Sequence, residues 1–282
     1  MTRFESTVAI DWSGAKGRRH KGIAIARARG ADAPRLVRPG HVWSRQEVLD
    51  WLVKEADREP TLFGFDFSFA PPFAERGAYL PGEIGVPDNA RDFWAYVEAS
   101  SDDDDLGAAS FLEKAHRPHF YFGIADGIKA DFVRFRQCDA RLNQQGGRKT
   151  ASAYDAIGAA QVAKASFAGM RLLHRLDGKV AIWPMDQLPA TGSAVVEIYT
   201  RIYLRNAGMS GRKLRSRVDL NVALAGLGSP PARLRFEPND HQTDALVTAA
   251  GMRAHLANPL AFDPPGLTPD LARTEGWTFG IV

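Results

Sequence analysis

The 282-residue chain contains one cysteine, Cys138, and no apolar run that approaches the roughly 18 residues of a membrane-spanning helix. A single cysteine excludes a disulfide within the chain and offers no cysteine cluster for zinc. The N-terminal residues lead almost directly into a predicted strand, so we expect no signal peptide. Together these absences predict a cytoplasmic protein with no membrane association, and no partner protein is evident.

The chain also has little net charge, because its 36 basic residues nearly balance its 33 acidic ones. That balance alone says little about nucleic acid. The charge is unevenly spread, however, since residues 201–235 contain eight basic residues and one acid, Asp219. This local excess suits a phosphate-bearing partner, although a solvated helix face would give the same pattern. The candidate substrate-binding residues are Lys16, Arg201, Arg212, Lys213 and Arg215.

Signals near the start of the chain predict an α/β fold. Ser44 to Glu47 form a capping box, which starts a helix whose apolar stripe includes Val48 and Leu52. Apolar character predicts strands at 7–13, 21–29, 35–43 and 61–69. The last of these is typical of a central buried strand. We therefore expect a mixed sheet of about five main strands flanked by helices, with the first three strands antiparallel.

The middle of the chain is irregular and punctuated by proline from Ala70 to about Thr150. Helical periodicity returns at 155–176. We expect a single domain over residues 1–282, with an inserted and mostly helical cap at about 70–175. After the cap, the sequence predicts strands at 179–184 and 194–199, and helices at 201–207, at 212–226, and from Asn239 or Asp240 to about Leu256.

Four short apolar stretches each contain one acid, and the acids are Asp11, Asp66, Glu197 and Asp244. A carboxylate in such surroundings costs several kcal/mol unless it is paired or bound to a metal. His241 and Asp244 lie three residues apart on the last helix and therefore share a face. Four such acids in one chain suggest that they meet, and acids that meet need a cation between them.

Carboxylate oxygens of this kind suit Mg²⁺ or Mn²⁺ rather than zinc. Two such ions roughly 4 Å apart can activate water and stabilise the leaving oxygen of a phosphodiester. We expect His241 either to shuttle protons or to hydrogen-bond the start of its helix. Structural roles stay open as well: a satisfied polar group for Asp11 or Asp66, an exposed edge-strand position for Glu197, and a helix-dipole contact for Asp244.

Five motifs in this order resemble one family, and the resemblance spans nearly the whole chain. They are Ala-Ile-Asp-Trp-Ser-Gly-Ala at 9–15, Gly-Phe-Asp-Phe-Ser at 64–68, Glu-Ile-Tyr at 197–199, His-Gln-Thr-Asp-Ala-Leu at 241–246 and Glu-Gly-Trp at 275–277. The family is that of unknown function described as predicted ribonuclease H-like nucleases. The resemblance implies a ribonuclease H-like fold, metal-dependent cleavage of RNA or DNA, and metal binding by Asp11, Asp66 and Asp244 with Glu197 as the fourth ligand.

Two other functions are compatible with the same residues. Asp11 to Lys16 also resembles the first phosphate loop of actin-like and sugar-kinase ATPases, in which a turn with glycine and lysine cradles phosphates. Those proteins usually need two copies of the fold, and this chain shows no repeat. The third interpretation is a metal-free nucleic-acid-binding module. Weaker candidates are residues 149–152 with Gln161 and Lys164 as cleft residues, for which a polar loop and a helix face are the alternative. The aromatic, basic loop at 116–123 is either a base-stacking segment or a packed aromatic loop.

Overall fold

The computed structural model describes residues 3–146, 150–157 and 162–282. Its strands form one mixed sheet in the order β3-β2-β1-β4-β6-β5. Both pairings among the first three strands are antiparallel, as predicted. The other three strands, β4, β6 and β5, run parallel to β1. The described residues thus contain six strands rather than about five: β1 Ser6–Asp11, β2 Ala24–Arg29, β3 Arg35–Leu36, β4 Thr61–Phe65, β5 Ala181–Ile182 and β6 Ala194–Glu197.

Nine α-helices lie in the described ranges, and side-chain caps fix the start of several of them. Ser44 and Asn239 both form capping boxes, which confirms the predicted starts of α1 and of the last long helix, α8. The helices are α1 Arg45–Ala56, α2 Ala90–Ala99, α3 Lys129–Phe132, α4 Gln137–Gln144, α5 Val162–Leu176, α6 Thr200–Asn206, α7 Arg217–Gly226, α8 Asp240–His255 and α9 Pro269–Thr274.

Several predicted elements are longer than the observed ones. The strand predicted at 35–43 forms a strand only over Arg35–Leu36, because Arg38 adopts a positive φ of 49° and turns the chain, and Trp43 makes an isolated bridge with His20. The helix predicted at 212–226 begins at Arg217, since the Ser216 side chain accepts the Asp219 amide. The strands predicted at 7–13 and 61–69 end at Asp11 and Phe65. Both acids of interest therefore lie at strand ends and not in mid-strand.

Helices cover both faces of the sheet. On one face α1, α2 and α5 bury an aromatic core that includes Phe63 and Phe65. On the other face α8 packs across β1 and β2, with α6 beside it. Gly64 is needed there, because a Cβ on it would lie 2.6 Å from Ile198 Cγ2 and 2.8 Å from Met252 Sδ.

The predicted cap shares the core of the sheet. Phe93, Phe111 and Phe120, all from the region between β4 and α5, are fully buried in the same apolar cluster as Phe63. The division into one domain with an inserted cap stays a prediction. In the ranges that the structure describes, no helix is both long and apolar enough to cross a membrane.

Candidate functional site

Asp11 and Asp66 lie side by side at the carboxyl ends of two parallel strands. Asp11 is the last residue of β1, and Asp66 directly follows β4. The register aligns Ile10 with Phe65, and the Asp66 amide donates to the Ile10 carbonyl at 3.2 Å. The two acids therefore lie at the ends of neighbouring strands. The register places both carboxylates at the edge of the sheet where the parallel strands end.

Asp244 reaches the same place from α8. The helix is fixed to the sheet in part by Thr7, whose hydroxyl donates to the Ala249 carbonyl at 2.8 Å. Burial, and then the negative charge of Asp11, raises the pKa of Asp244 to about 7. Burial, followed by repulsion from Asp11 and then Asp244, holds the pKa of Asp66 well above its usual range. The structure therefore brings Asp11, Asp66 and Asp244 into one cluster.

Two members of this carboxylate cluster, defined as Asp11, Asp66 and Asp244, have no donor in the part of the chain that the structure describes. Within the described residues, neither Asp66 nor Asp244 accepts a hydrogen bond or forms an ion pair. Asp11 has one partner, since its Oδ2 lies 2.6 Å from His241 Nδ1. Three carboxylates without adequate compensation are unfavourable while ionised. The cluster therefore has unsatisfied capacity for a cation.

His241 contacts the cluster from the first turn of α8. The hydrogen bond to Asp11 raises the pKa of the His241 imidazole, partly offset by burial. The start of α8 is capped by Asn239, whose Oδ1 accepts the Gln242 amide at 2.9 Å. Asn239, and not His241, therefore makes the hydrogen bond at the start of α8. The proton-shuttle role stays a prediction.

Glu197 ends β6, opposite Phe65 of β4, and its carboxylate is fully engaged. Its two oxygens accept hydrogen bonds from Arg136 Nη1 at 2.6 Å, Arg136 Nη2 at 2.5 Å, Thr278 Oγ1 at 2.6 Å and the Phe69 amide at 2.8 Å. Because β6 lies between β4 and β5, the edge-strand interpretation is wrong, and only 3% of Glu197 is exposed. Its role as a metal ligand stays a prediction.

Sequence reasoning assigned no role to three residues of the hydrogen-bond network around Glu197: Arg136, Asp139 and Glu275. Arg136 is buried, and its Nε donates to Asp139 Oδ2 at 3.0 Å. Glu275 Oε1 accepts the Phe73 and Ala74 amides at 2.7 and 2.8 Å. The available signals were an arginine three residues before an aspartate at a helix start, and the glutamate of the Glu-Gly-Trp motif.

The predicted substrate-binding cations divide into two groups. The positive charge of Arg201 partly offsets the rise in the pKa of Asp66, and that of Lys213 partly offsets the rise in the pKa of Asp244. Both cations therefore act on the cluster. Lys213 also pairs with Asp240 at 3.2 Å. Lys16, in contrast, pairs with Glu113 at 2.7 Å on the surface. Arg212 and Arg215 are both exposed in the loop before α7.

The turn proposed as a phosphate loop is occupied by protein contacts. A Cβ on Gly14 would lie 2.3 Å from the Ala165 amide nitrogen, so this glycine permits close packing against α5. The buried Arg45 donates to the Ser13 carbonyl from Nε at 2.9 Å and to the Ala15 carbonyl from Nη2 at 2.6 Å. A nucleotide would have to compete with these contacts. The ATPase alternative remains a prediction.

The aromatic loop at 116–123 lies within the described residues, whereas two of the candidate cleft residues do not. In the aromatic loop His116 and Phe120 are buried, and both His116 and His119 contact Glu83 at 2.7 Å, which favours a packed loop. Lys149 and Gln161 lie outside the described residues.

The chemistry of the carboxylate cluster fits a hard cation, whereas its side chains are not arranged as a ready site. In the described part of the chain, no three His, Cys, Asp or Glu side chains are grouped so that they could hold a metal ion. Carboxylate oxygens without protein donors are nevertheless the ligands that Mg²⁺ and Mn²⁺ prefer. Neither a protein-family model, nor a curated protein, nor a solved structure matches this chain.

Proposed function

We propose that this protein is a metal-dependent phosphodiesterase of ribonuclease H-like fold that acts on nucleic acid. The observation that carries the proposal is the carboxylate cluster: Asp66 and Asp244 are partly buried beside Asp11 and have no donor among the described residues. The sheet order supports it, because three antiparallel strands followed by parallel ones place Asp11 and Asp66 on adjacent strand ends.

Asp11, Asp66 and Asp244 would hold Mg²⁺ or Mn²⁺. When bound, such ions activate water and stabilise the leaving oxygen of a phosphodiester. Their positive charge would also remove the repulsion that raises the pKa of the cluster carboxyls. We leave Glu197 out of this ligand set because four donors already occupy its two oxygens.

His241 would supply the protonatable group at the site. Its Nδ1 is committed to Asp11, while Nε2 has no hydrogen bond within the described residues. The ring is about half exposed, since 49% of its side-chain surface is accessible. With a raised pKa, His241 holds its proton to a higher pH than a free imidazole would.

Nucleic acid would be held by the cations beside the cluster. Arg201 and Lys213 act on Asp66 and Asp244, and Arg212 is exposed next to Lys213. Lysine and arginine contacts of this kind bind the phosphate backbone whatever its sequence, and they weaken as salt rises. This arrangement favours a sequence-independent phosphodiester substrate.

A cleavage assay tests the proposal. Purified wild type, Asp66→Asn and Asp57→Asn are incubated with Mn²⁺ and single-stranded RNA, single-stranded DNA, both duplexes or the hybrid, with ATP hydrolysis measured in parallel. Asp57 is an exposed residue after α1 and serves as the matched control. We expect cleavage by wild type and Asp57→Asn, and a loss of at least about a hundredfold in Asp66→Asn.

The other outcomes are equally decisive. ATP turnover without cleavage would replace the proposal with the phosphate-loop ATPase. Nucleic-acid binding without cleavage, equal in wild type and Asp66→Asn, would indicate the metal-free binding module.

A further inference from the structure

Beside Glu197, the segment that follows β4 meets two later segments of the chain, 136–139 and 275–278, at a buried point. We call this point the insertion root and define it as residues 69–74, 136–139, Glu197 and 275–278. Two buried carboxylates anchor it. Glu197 accepts the Phe69 amide at 2.8 Å, and Glu275 accepts the Phe73 amide at 2.7 Å and, through Oε2, the Gln137 amide at 2.8 Å.

Arg136 ties these anchors together. Its guanidinium makes two parallel hydrogen bonds to the Glu197 carboxylate, at 2.6 and 2.5 Å, and two to the Asp139 carboxylate, at 3.0 and 3.2 Å. Only 2% of Arg136 is exposed. A two-pronged, buried pair of this kind fixes the geometry of both partners. The ion pair therefore joins the insertion to the end of β6.

This pair also fixes the segment that carries Asp66. Three hydrogen bonds hold the chain from Asp66 to Phe69. The Asp66 amide donates to the Ile10 carbonyl, the Ser68 amide donates to Ser166 Oγ at 3.1 Å, and the Phe69 amide donates to the Glu197 carboxylate. The third of these depends on Arg136, because Arg136 sets the orientation of the Glu197 carboxylate. The position of Asp66 is thus coupled to Arg136, which lies 70 positions later in the chain.

We infer that Arg136 is a positioning residue for Asp66, and that Glu197 serves as the fixed acceptor between them and not as a metal ligand. For Glu197 to bind a cation, it would have to give up hydrogen bonds from Arg136, Thr278 and Phe69. Breaking such a buried pair leaves an uncompensated charge, which is strongly unfavourable. The link to metal rests on the proposed function, whereas the link to the Asp66 segment does not.

Two measurements test the inference in Arg136→Met. Amide hydrogen exchange over residues 63–72 reports on the segment directly, and we expect faster exchange at Phe69 in the variant. Calorimetric titration with Mn²⁺ reports on the consequence, and we expect affinity to fall about 10–100-fold, as for loss of other groups that orient metal ligands. Thr278→Val removes a single donor to Glu197 and serves as the milder variant if Arg136→Met does not fold, with the same changes expected at smaller size.

Arg171→Met is the matched control. Arg171 is also a buried arginine paired with a glutamate, Glu98, and it lies in α5 away from the insertion root. We expect Arg171→Met to lower stability while leaving Mn²⁺ affinity and Phe69 exchange as in wild type. Equal loss of Mn²⁺ affinity in both arginine variants would overturn the inference, because the effect would then be one of general stability.

A double variant separates a positioning role from a ligand role. If Arg136 acts through Glu197, Arg136→Met/Glu197→Met binds Mn²⁺ no more weakly than either single variant. A further tenfold loss on adding Glu197→Met to Arg136→Met would show that Glu197 is a ligand and overturn the inference. If wild type binds no Mn²⁺, the proposed function fails, and hydrogen exchange at Phe69 alone decides whether Arg136 holds the segment.

Discussion

The carboxylates of Asp66, which directly follows β4, and of Asp244, in the second turn of α8, repel each other. Neither accepts a hydrogen bond within the described residues, so no donor there favours the ionised form of either acid over its protonated form. This relationship gives measurable consequences for stability, for metal binding and for their dependence on pH.

The metal-free protein should become more stable when Asp244 is replaced by asparagine. The pKa of Asp244 is raised from an ordinary value of 3.8 to about 7, so the native state favours the protonated acid. The stability that comes from protonation is complete below about pH 4 and is lost as pH rises through 7. We expect Asp244→Asn to be about 1–3 kcal/mol more stable than wild type at pH 8, allowing for partial solvent screening.

Urea unfolding at pH 4.5 and pH 8, with EDTA present, measures this difference. The advantage of Asp244→Asn should shrink at the lower pH. A variant that is less stable than wild type at pH 8 would show that the Asp244 carboxylate is compensated in the native state.

Mn²⁺ should stabilise the wild type and should bind more tightly as pH rises. A cation that binds only the native state raises the melting temperature in proportion to the logarithm of its concentration. Binding must displace the proton that Asp244 retains below pH 7, so affinity at pH 8 should exceed that at pH 6 by up to about tenfold. Thermal unfolding with and without Mn²⁺ at both pH values measures this. An equal rise in melting temperature for Asp66→Asn would place the metal elsewhere.

Gly14→Ala and Lys16→Ala separate the packing role of the first turn from a phosphate-binding role. The alanine methyl at position 14 would lie 2.3 Å from the Ala165 backbone, and we expect a loss of about 1–3 kcal/mol. Lys16 loses only an exposed pair with Glu113, which predicts a change within about 0.5 kcal/mol. Urea unfolding measures both. Unchanged stability of Gly14→Ala would contradict the packing role, and ATPase activity abolished by Lys16→Ala would support the phosphate loop.

Arg201→Gln should weaken nucleic-acid binding and reduce its salt dependence. Loss of one phosphate contact lowers the slope of log affinity against log salt by about one. Lys54→Gln is the matched control, because Lys54 is exposed in the last turn of α1, which leads to the start of β4 at the opposite end of the sheet. Fluorescence anisotropy over a salt series checks both variants. Identical slopes for wild type and Arg201→Gln would remove Arg201 from the binding surface.

Local sequence signals predicted those parts of the fold that depend on local interactions. The capping boxes at Ser44 and Asn239 fix helix starts within four residues, and both were predictable. The end of β4 was not. Phe67 and Phe69 continue the apolar run, yet they pack into the core from a loop whose backbone does not pair with a strand. An apolar run indicates that its residues are buried, and a buried residue need not belong to a paired strand.

The cluster and its support differ in the same way. Asp11, Asp66 and Asp244 were predictable because an acid in an apolar stretch is unusual in itself. Arg136 was not, because its partners Glu197 and Thr278 lie 61 and 142 residues away. The donors that satisfy a buried carboxylate are set by tertiary contacts. The sequence therefore indicated four acids of one kind, whereas among the described residues two have no donor, Asp11 is paired with His241, and Glu197 is fully paired.

The insertion root also sets an order for folding. Asp11 and Asp66 are synthesised early, yet the backbone amides of Phe73, Ala74 and Gln137 have no acceptor until Glu275 is available. Thr278 likewise supplies a donor to Glu197 only near the end of the sequence. Contacts of such long sequence separation form slowly, because a large loop must close before they contribute. We therefore expect the site to reach its final shape late in folding, when 275–278 docks.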